Sequence, residues 1–313
     1  MERILHTFMR KNLKGNLLLL LAAFIWGSTF VAQKSGMDLI GPFTFNGIRC
    51  LIGGLVLIPV CLLIAKDDPI PDNATDEEKK AYRKTLLLGG LCCGLVVFAA
   101  SNLQQIGLLY TTAGKSGFIT TLYVVLTPVC GIFLRKKIRP ITWFCVALAL
   151  FGLYLLCFKA GSPLNLGDVI TFLGSLGFTA HILVIDHFSP KVNGVKMSCL
   201  QFLVCGIISV PIAFLTEEIV WSNIFNCWLP ILYAGILSCG VAYTLQIIAQ
   251  KDTDPVVASI LMSMESVFAV VCAALILGEV MTLKETIGCV IMFAALIIVQ
   301  LPSKEERLAA KEA

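Results

Sequence analysis

Asn16-Leu-Leu-Leu-Leu-Leu-Ala-Ala-Phe-Ile-Trp26-Gly-Ser-Thr-Phe-Val-Ala-Gln33 is a run of eighteen residues without a charged side chain. As a helix rising 1.5 Å per residue it is about 27 Å long, close to the roughly 30 Å of hydrocarbon in a bilayer. The basic residues before it (Arg3, Arg10, Lys11 and Lys14) would also suit a signal peptide. The rest of the chain decides between the two: apolar runs of the same length recur along it, so this one reads as a first membrane span. Further runs lie near 42–65, 85–110, 113–134, 140–158, 166–186, 196–215, 223–249, 255–277 and 283–301, ten spans in all. Helices are the only non-barrel solution to backbone hydrogen bonding in hydrocarbon. The expected fold is therefore an all-α integral membrane protein of ten transmembrane helices.

Composition points the same way. The 313 residues are 58% hydrophobic and 14% charged, with a mean hydropathy of +0.88, where soluble domains carry about 25% charged residues. The longest gap between spans, Lys66 to Lys84, leaves no room for a soluble catalytic or nucleotide-binding domain. Thirteen Cys are scattered mostly inside apolar runs (Cys50, Cys61, Cys130, Cys145, Cys205 and Cys272 among them), without a CxxC pair, and read as small buried apolar residues rather than metal ligands.

The net charge of +4 is distributed by side rather than in one basic patch, which marks topology and not nucleic-acid binding. Counted over alternate gaps, one side holds nineteen Lys and Arg, including Lys79, Lys80, Arg83, Arg135, Arg139 and Lys191. The other holds four: Lys34, Lys115, Lys159 and Lys284. Positively charged loops stay inside the cell, so both termini are expected to be cytoplasmic in a multi-pass protein of the cell membrane. The glycosylation sequon Asn73-Ala74-Thr75 then lies inside the cell and is read as chance.

The chain also matches itself weakly, at an offset of 152 over the first two spans and 142 over the next three. Pro59 falls on Pro211 and Gly54 on Gly206, then Leu103-Gln104 on Leu245-Gln246 and Val129-Cys130 on Val271-Cys272. The ten-residue change is absorbed by a longer second loop. Five spans per copy is odd, so the halves would enter the membrane in opposite directions, as inverted repeats.

Five local patterns occur in order: Trp26-Gly27-Ser28-Thr29-Phe30, Asn46-Gly-Ile-Arg49, Tyr110-Thr-Thr-Ala-Gly-Lys-Ser-Gly-Phe-Ile119, Met264-Glu265-Ser266-Val267-Phe268-Ala269 and Leu277-Gly278-Glu279. On these the chain resembles the drug/metabolite transporter superfamily, specifically its EamA-type members. The resemblance implies two five-helix repeats, 1–160 and 161–313, around a central cavity, and export or exchange of amino acids or related metabolites. Three positions depart from the family pattern. Its usual Glu-Pro step reads Glu265-Ser266, the matching first-half position reads Tyr123-Val124, and the Gly-Glu ending the fourth span reads Lys136-Lys137.

An ionisable side chain at bilayer depth costs several kcal/mol and needs a partner or a wet cavity. Glu265 stands ten residues into the ninth span, about 15 Å deep, where it could bind a cationic group or carry a proton, or sit neutral against a neighbouring helix. Arg49, with Asn46 one turn back, forms a polar stripe that either grips an anionic group or ties down a helix end. His181 reads as a packing residue or a cavity group. Gln104 matches Gln246 by position, and Tyr243 lies nearby in the eighth span; these suit hydrogen bonding to an uncharged or zwitterionic solute, or interhelical contacts. Trp26 and Tyr123 could wall the cavity. Ala113-Gly114-Lys115-Ser116 is not a phosphate loop, because Leu109 stands where such a loop needs Gly; Lys115 is instead placed at the outer mouth.

These residues together read as a secondary transporter of a small-molecule solute in a lipid bilayer, with no cofactor, no nucleic acid and no enzymatic activity. The alternatives are an integral membrane enzyme, for which three His supply no di-iron cluster, and a non-transporting membrane protein. The charge count is testable by cysteine labelling in a Cys-depleted background. A cysteine at position 75 is expected to react only after the membrane is permeabilised, and labelling from outside would reverse the topology.

Overall fold

The structure is a computed structural model that describes residues 2–37, 39–63, 69–70, 74–111, 113–135, 138–157, 164–277 and 282–301. Among the described residues every regular element is helical and there are no strands. The first eight helices are α1 (Glu2–Met37), α2 (Pro42–Leu63), α3 (Asp76–Leu108), α4 (Ala113–Thr120), α5 (Tyr123–Phe133), α6 (Pro140–Cys157), α7 (Leu166–Phe188) and α8 (Gly194–Thr216). After them come α9 (Trp221–Asn226), α10 (Trp228–Tyr233), a π-helical stretch (Ala234–Ala242), α11 (Tyr243–Gln250), α12 (Pro255–Met262), α13 (Glu265–Leu277) and α14 (Leu283–Val299).

Among the described residues, seven stretches are long and apolar enough to cross a membrane, and Leu13–Thr29 and Pro140–Leu156 are shorter apolar helices. Outward-facing Leu62, Leu63, Leu87, Phe133 and Leu215 form an apolar exterior that water would not tolerate and lipid tails would cover. The chain is a multi-pass membrane protein.

Two helices begin well before their apolar runs. α1 starts at Glu2 rather than near residue 16, because the Leu, Arg and Lys between are good helix formers. α3 starts at Asp76, where the sequence placed the span from 85. Its start is set by a capping box: the Thr75 hydroxyl accepts from the backbone N–H of Glu78, whose carboxylate accepts from the Thr75 N–H at 2.8 Å. Donation to that carboxylate from the Thr75 N–H above all, and from the Thr75 hydroxyl at 3.0 Å, holds the Glu78 carboxyl below its ordinary range. Thr75 thus has a structural role in the cap, while Asn73 lies outside the described residues.

The fourth and ninth apolar runs are each broken in the middle, at Thr121-Leu122 and Ser263-Met264. These sites are 142 residues apart, the sequence offset for that part of the chain. At both, the backbone tightens to bonds three residues back, Leu122 N–H to Ile119 O and Met264 N–H to Leu261 O. Hydroxyls contribute: Thr121 Oγ1 donates to Gly117 O, and Ser263 Oγ to Ile260 O. Within α5, Pro128 leaves the Val124 carbonyl without its helical donor.

Helices approach closely where glycine allows it. α2 lies along α8, α3 along α7 and α8, α6 along α14, and α1 against α13 and α11. At the α2–α8 crossing a Cβ on Gly54 would stand 2.8 Å from Leu203 Cδ2, and one on Gly206 would stand 2.7 Å from Leu51 Cγ. The two glycines are 152 residues apart, and so are the two leucines they meet.

The π-helical stretch has a cause in the same comparison. A Cβ on Gly94 would meet Val204 of α8, and one on Gly235 would meet Ile52 of α2. Val204 and Ile52 are offset by 152, which pairs Gly94 with Gly235 at an offset of 141. Further along, Gln104 pairs with Gln246 at 142. The eighth apolar run therefore holds one residue more than the third between these points, and a wider turn absorbs it.

Adding a methyl at the crossing should overpack it. We expect Gly206→Ala to cost about 1–3 kcal/mol in unfolding experiments on detergent-solubilised protein. Gly117, where an added Cβ meets nothing within 4 Å, should accept Ala without loss. Equal stability of the two variants would show that the crossing is loose.

Candidate functional site

A partly open cavity lies among α1, α2, α3, α4, α5, α7, the π-helical stretch, α11, α12 and α13. Trp26, Arg49, Gln104, Tyr123, His181, Tyr243, Gln246 and Glu265, all singled out from the sequence, line it. Asn46 does not. It is fully buried behind the wall and accepts from Arg49 Nε at 2.9 Å, so it orients the arginine rather than facing a solute. Lys115 belongs to α4, and its side chain lies outside the described residues.

The helix breaks position the two groups at the cavity centre. Tyr123 opens α5 and Glu265 opens α13, and the Tyr123 hydroxyl donates to Glu265 Oε1 at 3.2 Å. Thr121 and Ser266 meet beside them, hydroxyl to hydroxyl at 3.1 Å.

Tyr243 is the hub of an aromatic wall. Its ring meets Trp26 edge-on with centroids 4.8 Å apart, Phe202 at 5.1 Å and His181 at 5.7 Å. His181 is held in place by Gln201, whose Oε1 stands 2.9 Å from Nε2. Gln104 Nε2 donates to Thr120 Oγ1 and Gln246 Nε2 to Gln250 Oε1, both at 3.0 Å.

Several polar atoms at the cavity remain without a protein partner among the described residues. These are Trp26 Nε1, Gln33 Oε1 and Gln246 Oε1. The Arg49 guanidinium stands over the Phe45 ring at 5.6 Å, and its Nε donates to Asn46. A buried donor or acceptor left unpaired costs about 1–3 kcal/mol. The arrangement can supply donors from Arg49 and Trp26 and acceptors from the glutamines and Glu265.

Gln33, Thr120, Phe178, Ile182, Ser238 and Met262 also line the cavity and were not read as site residues from the sequence. For some the signal was present. Phe178 stands 152 residues after Trp26 and Met262 stands 142 after Thr120, so the duplication offsets point from one lining residue to another. Tyr123 with Glu265 and Gln104 with Gln246 complete four such pairs. For Ser238 and Ile182 no sequence signal existed.

Known proteins align with this chain over most of its length. The sequence profile of the EamA-like transporter family matches residues 13–158 and again 165–301. An uncharacterized transporter of Archaeoglobus fulgidus is 32% identical over 294 residues, covering 93% of this chain and 87% of that one. An S-adenosylmethionine/S-adenosylhomocysteine transporter of Chlamydia muridarum is 25% identical over 221 residues, 66% of this chain and 64% of its own. A solved crystal structure superposes with a TM-score of 0.75 at 18% identity, covering 91% of this chain and 96% of that one, a likeness of fold.

The Tyr123–Glu265 contact is accessible to a double-mutant cycle of Tyr123→Phe and Glu265→Ala, read by equilibrium unfolding in detergent. A buried side-chain hydrogen bond is expected to give a coupling of about 0.5–1.5 kcal/mol. Additive effects of the two changes would mean that the side chains do not interact.

Proposed function

The chain belongs to the EamA-like transporter family, and on that premise we propose that it is a secondary transporter, an exporter or exchanger, of a small metabolite such as an amino acid or related solute. Its mechanism on this reading is alternating access of the central cavity to the two sides of the cell membrane, with both termini cytoplasmic. The observation that carries the proposal is the lining of one cavity by four pairs of positions related by the duplication offsets. A binding site on a pseudo-two-fold axis between inverted repeats has this form.

The same reading takes residues 1–160 and 161–313 as the two repeats, with ten spans. Helix packing supports it, because contacts recur when each span is exchanged for its counterpart. α3 on α8 is answered by the π-helical stretch on α2, α3 on α7 by α11 on α1, and α5 on α7 by α13 on α1. The double match of the family profile, once in each half, supports it further.

Arg49 offers a two-pronged donor for a carboxylate, and Glu265 an acceptor for an ammonium or a site for a transported proton. The aromatic wall around Tyr243 receives the apolar part of the solute. S-adenosylmethionine, which names one relative, itself ends in an amino acid, and that supports an amino-acid head group as the recognised element.

A thermal-shift screen of purified protein against metabolites identifies the solute, since a ligand stabilises the state it binds. With that solute, Glu265→Gln should keep expression and thermal stability while flux in proteoliposomes, normalised to inserted protein, changes by at least about tenfold, the loss of one interaction of about 1.4 kcal/mol. A flux that also loses its pH dependence would assign Glu265 to proton exchange; retained pH dependence with reduced flux would assign it to solute binding. Unchanged flux and pH response would make Glu265 a packing residue.

A further inference from the structure

The breaks at Thr121-Leu122 and Ser263-Met264 free one carbonyl each, at matching positions. In an unbroken helix the Thr120 oxygen would accept from the N–H of Val124, and the Met262 oxygen from that of Ser266. Here the Val124 N–H donates instead to Thr121 O at 3.0 Å, and the Ser266 N–H to Ser263 O at 3.2 Å. Thr120 and Met262 are the last residues of α4 and α12, stand 142 residues apart and both line the cavity. We propose that these two carbonyls and the Glu265 carboxylate hold a monovalent alkali cation, Na⁺, at the cavity centre.

Bonds between the two breaks bring these oxygens together. The Tyr123 hydroxyl donates to Glu265 Oε1 at 3.2 Å, and Thr121 meets Ser266 at 3.1 Å. Thr120 directly precedes Thr121, and Met262 stands three residues before Glu265, so each freed carbonyl lies within one helical turn of a bond that joins the breaks. Tyr123 donates its proton to the carboxylate and keeps its lone pairs, which adds a fourth oxygen at the same place. Both carbonyls also belong to the C-terminal ends of half-helices, where the aligned peptide dipoles are negative. Unwound carbonyls and half-helix C-termini at the middle of a membrane are the groups by which transporter folds coordinate Na⁺.

The chemistry of the set selects the ion. Every atom offered is an oxygen, which suits a hard cation and not a transition metal. An ionised carboxylate at bilayer depth needs a balancing charge, and the Tyr123 hydroxyl that bonds Glu265 is neutral. Arg49 is engaged elsewhere, with its Nε on Asn46 and its guanidinium over Phe45. One carboxylate balances one positive charge, so a monovalent ion leaves the site neutral where a divalent ion would not. A proton on Glu265 would neutralise the carboxylate and leave both carbonyls unserved. As the ion that accompanies the solute, Na⁺ rests on the transport reading; its binding does not, since it needs no solute.

The test is equilibrium binding of radioactive Na⁺ to the full-length protein in lipid nanodiscs, with choline replacing Na⁺ at constant ionic strength. Saturable binding is expected, and Glu265→Gln should weaken it at least about tenfold. Glu78→Gln, at an exposed helix cap, should leave it unchanged. Methylammonium, a probe for the ammonium of a solute, should displace Na⁺ at least about tenfold less effectively than unlabelled Na⁺ does. In the unaltered protein, Na⁺ should also slow the modification of Glu265 by a carbodiimide, read by peptide mapping, so a Glu265→Gln protein that fails to fold leaves the site testable. No saturable binding, full binding by folded Glu265→Gln, or carbodiimide modification of Glu265 indifferent to Na⁺ overturns the proposal. Equal displacement by methylammonium overturns it too, in favour of a solute ammonium at the same atoms. Because no solute is present, a failure of the transport reading would leave Na⁺ binding as measured.

Discussion

A backbone polar group in hydrocarbon must find its partner inside the protein, and the architecture depends on that constraint. Regular helices meet it everywhere along the outer surface. They are interrupted at Thr121-Leu122 and Ser263-Met264, where the chain lies beside the cavity, tightened turns bond the displaced N–H groups, and the Ser263 hydroxyl donates to the Ile260 carbonyl. Breaking a helix there does what an unbroken one cannot. It turns the first residue of the next segment, Tyr123 or Glu265, toward the centre of the molecule, where the two meet.

Close helix packing has a different origin. Between lipid-exposed helices there is little hydrophobic gain on association, so contact must come from backbones brought near each other. Gly54 and Gly206 do this at the α2–α8 crossing, and Gly152 and Gly288 face each other in the same way between α6 and α14. That proximity lets buried amides reach across helices, as Asn46 does to Ser101 at 3.0 Å and Asn102 to Ser209 at 3.3 Å. It also gathers Cys50, Cys205 and Cys239 into one cluster.

The cavity has matched positions but, apart from Gln104 and Gln246, unmatched chemistry. Where one half offers Tyr123 the other offers Glu265, and where one offers Trp26 the other offers Phe178. Arg49 has Gln201 at the corresponding place, and that glutamine serves His181 instead of the cavity. A scaffold with two related halves thus presents an asymmetric set of donors and acceptors, which is what orientation of a small solute requires.

The sequence by itself determined that this protein lies in a membrane, where its apolar runs fall, which gaps are basic, and at what offsets the chain matches itself, because length, charge and internal offset are linear quantities. It also pointed to most of the polar residues that line the cavity, since an ionisable or amide group within a span has few places to go. Facing was beyond it. In a span whose lipid side and protein side are both apolar, periodicity carries little information about which face turns inward, so the clustering of Cys50, Cys205 and Cys239 around Phe202 and the withdrawal of Asn46 behind Arg49 were decided only by packing. The two helix breaks and the π-helical stretch were decided there too. They depend on bonds between groups already adjacent and on a single extra residue that tertiary contacts at Gly235 and Gln246 force the helix to absorb.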